Sequence, residues 1–151
     1  KALKISLLLL FLQPGAPCIY YGTEIGLNGG EEPKCRESFP WDDLQNQELV
    51  LFIRSLCKLR KEILGLVNNS FSWNIYEEEG LYGTIEQFDH SLSVNCRINV
   101  FLNRSRKSWL KLPANKGMLT FLLGFFEPSD KGLAPQSAVV FRVPLDTESK
   151  G

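Results

Sequence analysis

Apolar and polar positions follow three different rhythms along the chain, and each rhythm predicts a different kind of element. From Ala2 to Leu12 nearly every position is apolar: Leu3, Ile5, Leu7, Leu8, Leu9, Leu10, Phe11 and Leu12. A helix without a polar face has to be covered on most sides. A buried helix is therefore expected over Ala2–Leu12, ended by the breaker pair Pro14-Gly15, and little in the rest of the chain is free to cover it. The run Cys18–Gly22 (CIYYG) is too short for a free-standing helix and carries Ile and two Tyr, so it reads as a buried strand. From Leu44 the apolar positions Leu49, Phe52, Ile53, Leu56, Leu59 and Ile63 recur at three and four, with Arg54, Lys58 and Lys61 opposite. That is an amphipathic helix over Leu44–Glu62. Asp42-Asp43 offers its N-cap, and Gln45 or Asn46 completes a capping-box-like start. Lys58, Arg60 and Lys61 suit the negative end of its macrodipole, and Gly65 is a stop.

After Asn68-Asn69 the rhythm switches to two. Phe71, Trp73 and Ile75 alternate up to the Glu77-Glu78-Glu79-Gly80 turn, Leu81–Phe88 returns, and Asp89-His90-Ser91 turns again. Ser91–Leu102 is a long strand followed by a turn over Asn103–Lys107; Trp109–Leu112, Met118–Leu123 and Val139–Val143 are further strands. Short strands joined by tight polar turns predict an antiparallel sandwich or Greek key. The fold class is therefore α/β plus all-β, with an α/β portion over 1–65, an antiparallel β-sandwich over 66–151, and a boundary near 64–69. Helix, buried strand, long polar loop and helix make a parallel α/β layer. In such layers ligands bind at the loop after the strand, here Thr23–Pro40.

The totals narrow the function classes. A chain of 151 residues fits one medium domain, or a small domain with a piece of another. It can bury roughly 70% of its unfolded surface. Seventeen Lys and Arg balance seventeen Asp and Glu, with no basic stripe. Nucleic-acid binding is disfavoured, because phosphate neutralisation supplies most of that affinity. A polybasic membrane patch is absent too, and the apolar run Ile5–Leu12 falls far short of the ~20 residues of a membrane span. A secretion signal in the opening stretch is argued against by Gln13-Pro14 at the junction and by Pro17 before Cys18. The opening without Met or N-cap suggests a piece of a longer polypeptide. Cys18, Cys35, Cys57 and Cys96 show no C-x-x-C spacing, and the single histidine, His90, cannot complete a zinc site. Free thiols in a reducing cytoplasm are expected, with Cys18 and Cys57 buried in apolar surroundings. No cofactor is called for.

The residues of the central stretch carry a resemblance. Gly15-x-Pro17-x-Ile19-Tyr20-Tyr21-Gly22-x-Glu24-Ile25-Gly26 resembles the eighth barrel strand of the alpha-amylase superfamily of glycoside hydrolases. The continuation Gly29-Gly30-x-x-Pro33-x-Cys35-Arg36…Trp41-Asp42 is similar to the neopullulanase, cyclomaltodextrinase and maltogenic amylase subgroup. The match is dense from about Leu7 to Arg60; beyond Ile63 only the order of elements resembles the family. The resemblance implies that 1–65 is the end of a (β/α)8 barrel, comprising its seventh helix and its last strand and helix. It also implies hydrolysis of α-glucosidic bonds in maltodextrin, cyclodextrin or pullulan with retention, using two carboxyl groups ~5–5.5 Å apart. In the family these acids end the fourth, fifth and seventh strands, so all would precede Lys1. A whole barrel takes ~250 residues, and this chain alone is expected to be inactive. The partners implied are an α-glucan oligosaccharide and the missing N-terminal part of the barrel, and a homodimer of the parent is compatible with them.

For substrate contact the resemblance singles out Arg36 and Glu32, the latter where the family usually has Asp. A guanidinium fork suits paired hydroxyls and a neighbouring carboxylate, whereas the plain reading of the pair is a surface salt bridge. Glu24 is read as structural. Tyr20 and Tyr21 must point to opposite faces if they sit on a strand. Trp41 is read as an anchor under the N-cap in preference to a sugar-stacking platform. Trp73 and Trp109 are read as core, Glu77–Glu79 as a solvated turn, His90 as exposed, and Gly29-Gly30 as a turn matching neither phosphate-binding motif. The competing reading is a non-catalytic β-sandwich carbohydrate-binding or interaction module, which aromatic residues exposed in a row on one sheet face would favour.

Overall fold

The computed structural model describes residues 1–27, 29–33, 36, 38–41, 46–63, 66, 70–90, 93–113, 120–125 and 131–145. Two helices, α1 (Ala2–Phe11) and α2 (Gln47–Glu62), precede five strands: β1 (Ser72–Tyr76), β2 (Gly80–Asp89), β3 (Val94–Asn103), β4 (Thr120–Phe125) and β5 (Ser137–Pro144). The strands form one antiparallel sheet in the order β1-β2-β3-β5-β4. The expected sandwich is thus an open sheet. Trp109–Leu112, expected as a strand, contributes only one bridge, in which Leu110 and Leu133 exchange N–H···O bonds of 2.9 and 2.8 Å.

The two sheet faces are differently covered, because side chains alternate along each strand. Ile85, Ile98, Val100, Leu102, Ala138 and Val140 face the helices and join Leu8, Phe11, Phe52, Leu56 and Leu59 in one continuous apolar cluster. Gly83 lies under the Trp73 ring on this side, and a Cβ there would come within 2.6 Å of it. Trp73 is half-buried against the core as expected. On the other face a smaller cluster, Phe101, Leu110, Leu133 and Val139, is flanked by half-buried Tyr76, Tyr82 and Phe141. The Phe101 and Phe141 rings are stacked with centroids 5.9 Å apart. Tyr82 Oη donates to Asn99 Oδ1 at 2.8 Å, and burial pushes its hydroxyl above the ordinary tyrosine range.

What takes the place of a second sheet is a pair of loops tied by one amide. Asn103, 1% exposed, donates through Nδ2 to the carbonyls of Ser108, Leu133 and Ala134 at 2.8, 2.9 and 3.0 Å, and its Oδ1 accepts from Ser105 N at 3.0 Å. Loop backbone satisfied this way can cover an apolar face without a ladder.

The helices depart from expectation at their ends. The N-cap of α2 is Asn46, whose Oδ1 accepts from Leu49 N at 3.1 Å, so the helix starts later than Leu44; Asp42 and Asp43 lie outside the described residues. Arg60 lies in the last turn of α2, as expected, and has a second role. It reaches across to the end of α1 and the turn that follows, with Nη1 donating to Phe11 O at 2.5 Å and Gln13 O at 2.9 Å, and Nη2 donating to Gly15 O. At the other end of the pair, Lys4 and Glu48 meet at 2.5 Å. The Lys4 ammonium holds the Glu48 carboxyl below the usual carboxylate range. Not all of α1 is covered: Leu8 is 1% exposed but Leu3 44%.

Candidate functional site

The loop expected to bind ligand begins with two glycines that set its course. Gly22 has φ 84°, and a Cβ there would lie 2.7 Å from Leu27 Cδ2, so only glycine fits. Between it and Gly26 (φ 74°), the short helical turn Thr23–Ile25 buries Ile25 and is pinned to α2 by the Asn46 N–H, which donates to Ile25 O at 3.1 Å. The inner half of the loop is therefore fixed to the helix that follows it.

The segment before the loop is not the expected strand. Residues 16–20 have no regular structure, and the chain turns at Tyr21. A strand needs a neighbour to satisfy its N–H and C=O groups, and no described strand pairs with this segment. Freed from alternation, the Tyr20 and Tyr21 rings lie together with centroids 4.6 Å apart, 67% and 40% exposed. Cys18 and Cys57 are exposed free thiols, not buried ones; Cys96 is the buried free thiol, and Cys35 lies outside the described residues. Burial first, then the Asp89 carboxylate, pushes the Cys96 thiol above its ordinary range.

The outer half of the loop carries the residues singled out from sequence. Arg36 Nη2 donates to Glu32 Oε1 at 2.5 Å, with both side chains more than two-thirds exposed. The turn between them is closed by Arg36 N donating to Pro33 O at 3.1 Å. Trp41 is 87% exposed and leans on Phe39, centroids 4.7 Å apart, so it is not an anchor beneath the helix. Glu24 is half-buried at the base of the loop, and its Oε2 is buried without a hydrogen-bond partner among the described residues. His90 and Glu77–Glu79 are exposed, as read from the sequence. Chemically the loop offers a paired, exposed carboxylate and guanidinium, a set suited to hydroxyl groups. Among the described residues no three His, Cys, Asp or Glu side chains converge on a metal-sized site. No helix of the described chain is long and apolar enough to cross a membrane.

Comparison with known proteins gives these features a context. No protein-family model matches the chain. It is 42% identical over 81 residues to an intracellular maltogenic amylase of Bacillus subtilis, covering 52% of this chain and 14% of the relative. It is 34% identical over 108 residues to a cyclomaltodextrinase of Geobacillus thermopakistaniensis, covering 70% of this chain and 18% of the relative. Among solved structures, the maltogenic amylase from S. marinus superposes with a TM-score of 0.67 at 23% identity, over 93% of this chain and 19% of that one. A cyclic maltosyl-maltose hydrolase from Arthrobacter globiformis, solved in complex with maltose, superposes with a TM-score of 0.56 at 22% identity, over 96% of this chain and 30% of that one. The chain spans less than a fifth of the length of the curated relatives it matches. By homology to 11–18% of the length of maltogenic amylases, cyclomaltodextrinases and neopullulanases, the chain belongs to the alpha-amylase family as the counterpart of one portion of those enzymes.

Proposed function

We propose that this chain is the C-terminal portion of a retaining glycoside hydrolase that acts on α-glucans such as maltodextrins, cyclodextrins or pullulan. In this reading residues 1–65 complete a catalytic barrel and 66–151 form the domain that follows it. The nucleophile, the general acid and the third acid belong to the missing N-terminal part of the barrel, so the chain alone does not hydrolyse. Glu32 and Arg36 contact sugar hydroxyls, and Tyr20, Tyr21 and Trp41 line the approach. The observation that carries the reading is the 42% identity over 81 residues to a maltogenic amylase. The exposure of Leu3, Tyr20, Tyr21 and Trp41 in one chain is consistent with surface that a fuller barrel would cover. A cytoplasmic location accords with an intracellular relative and with three free cysteines.

The test has two parts. Purified chain incubated with maltotriose and cyclodextrin is expected to release no glucose; release would end the claim that the catalytic acids are elsewhere. Titration with maltose, comparing Arg36→Ala, is expected to weaken binding at the loop, and unchanged affinity removes Arg36 from the site.

A second reading, a non-catalytic carbohydrate-binding or interaction module, is favoured by one feature. On the sheet face away from the helices, Tyr76, Tyr82 and Phe141 flank Phe101, and Phe121 is 56% exposed. Loss of maltose affinity on Phe121→Ala, with Arg36→Ala unchanged, would select this reading over the first.

A further inference from the structure

Strand β1 ends the sheet, and its outer side meets no other strand among the described residues. A strand edge carries unpaired N–H and C=O groups, and proteins guard such edges with Lys, Pro or a bulge. Ser72–Tyr76 holds no charged residue, no Pro and no Gly, and it pairs β2 in unbroken register. Its Trp, Ile and Tyr favour extended backbone. The opposite edge differs: β4 shifts register against β5 between Phe121 and Leu123, an irregularity of the kind that bends an edge away from partners.

An apolar row of side chains runs across the helix-facing side of the sheet to this edge and stops in water. Ala138, Leu102, Leu81 and Ile75 stand opposite one another on successive strands. The first two are fully buried, Leu81 is half-buried, and Ile75 is 76% exposed. Trp73, two residues from Ile75 and so on the same side, is half-buried over Gly83. The acidic turn Glu77–Glu79 follows β1 at one end only.

We propose that β1 is a self-pairing edge, along which a second copy of this chain adds antiparallel about a two-fold axis, joining two sheets into one. One register pairs all five residues of both strands: Asn74 meets Asn74 of the second copy, Trp73 meets Ile75, and Ser72 meets Tyr76. The aromatic ring of each copy then covers the exposed isoleucine of the other, a favourable cross-strand pair. No charges oppose one another within the paired strands, and the antiparallel sense sends the two acidic turns to opposite ends, whereas a parallel pair would bring them together. The irregular β4 edge leaves assembly at two copies. The surface is distinct from the Glu32–Arg36 loop, and its success or failure is separable from the glucan reading.

The experiment is sedimentation velocity of the 151-residue chain over a concentration series. A strand pair of this length buries less than the roughly 1,200 Å² of stable interfaces. Half-dimerisation is therefore expected at a concentration on the order of 100 µM. Ile75→Lys, a change at an exposed side chain that leaves the fold intact, should raise that concentration about tenfold or more. The register is read by oxidative crosslinking in a Cys18→Ser, Cys57→Ser background. Asn74→Cys places two thiols directly opposite, with Cβ atoms about 5 Å apart, and should give a disulfide-linked dimer. Ser72→Cys, exposed on the same side of the strand, leaves its two thiols roughly 14 Å apart along the pair and should not. A monomer at every concentration, a dimer indifferent to Ile75→Lys, or crosslinking through Ser72→Cys as readily as through Asn74→Cys overturns the proposal.

Discussion

Removing Arg60 is the most direct way to ask whether the two helices are held together by packing alone. Its guanidinium supplies donors to three carbonyls at the end of α1, a helix with no basic residue in its own last turn. Hydrogen bonds from a charged donor contribute about 1.5–3 kcal/mol each when shielded from water. Gln13 and Gly15 are exposed, so water takes over there at little cost, whereas Phe11 is 6% exposed and its carbonyl keeps most of the loss. Adding a small term for the lost interaction of the cation with the negative end of α1, Arg60→Ala is expected to cost about 2–3 kcal/mol. For a chain of this size that lowers the thermal midpoint by roughly 4–12 °C. Arg60→Lys keeps the charge but cannot span three acceptors with one ammonium, and should fall between the two. The assay is thermal unfolding followed by far-UV circular dichroism. A midpoint for Arg60→Ala within experimental error of wild type, or Arg60→Lys indistinguishable from wild type, would refute the idea that the fork organises this end of the helix pair.

Three further outcomes follow from features elsewhere. Asn103→Asp places a carboxylate against three carbonyls and should cost about 3–5 kcal/mol at neutral pH. Because the folded state raises that carboxyl's pKa, it binds the proton more tightly than the unfolded chain, and the deficit should shrink as pH falls, read by urea unfolding at several pH values. Gly83→Val drives a side chain into the Trp73 ring and is expected to destabilise by about 1–3 kcal/mol with a shifted tryptophan emission; unchanged emission would contradict the packing. Alkylation followed by peptide mass mapping should label Cys18 and Cys57 in the native chain and Cys96 only after unfolding. The raised Cys96 pKa makes its contribution complete below the ordinary thiol range and lost as pH rises through the folded value, so native labelling of Cys96 at neutral pH would contradict its burial.

Several parts of the molecule were open to reading because their signal is local. The period of three and four over Leu49, Phe52, Leu56 and Leu59 gave α2 its buried face, and the alternation around the Glu77–Glu79 turn gave the first hairpin, since each depends only on which side of one element meets the core. The Glu32–Arg36 pairing was legible for a similar reason, being four residues apart in one loop. The Asp89–Arg142 ion pair was not. The two residues look like ordinary polar residues of half-exposed strands until the register puts both on the covered side.

Sequence alone determined the two long helices, the five paired strands and the family, because helical and strand periods and a motif of spaced glycine, proline, tyrosine and arginine survive without knowledge of partners. Tertiary structure decided how those elements are used. Cys18–Gly22 has the composition of a strand but no ladder to join, so its tyrosines cluster at the surface. Arg60 sits at the end of one helix yet binds the end of another, 45 to 49 residues earlier. Whether a backbone group or a cation finds its partner depends on what folding brings beside it, and that proximity is written in no single stretch of the chain.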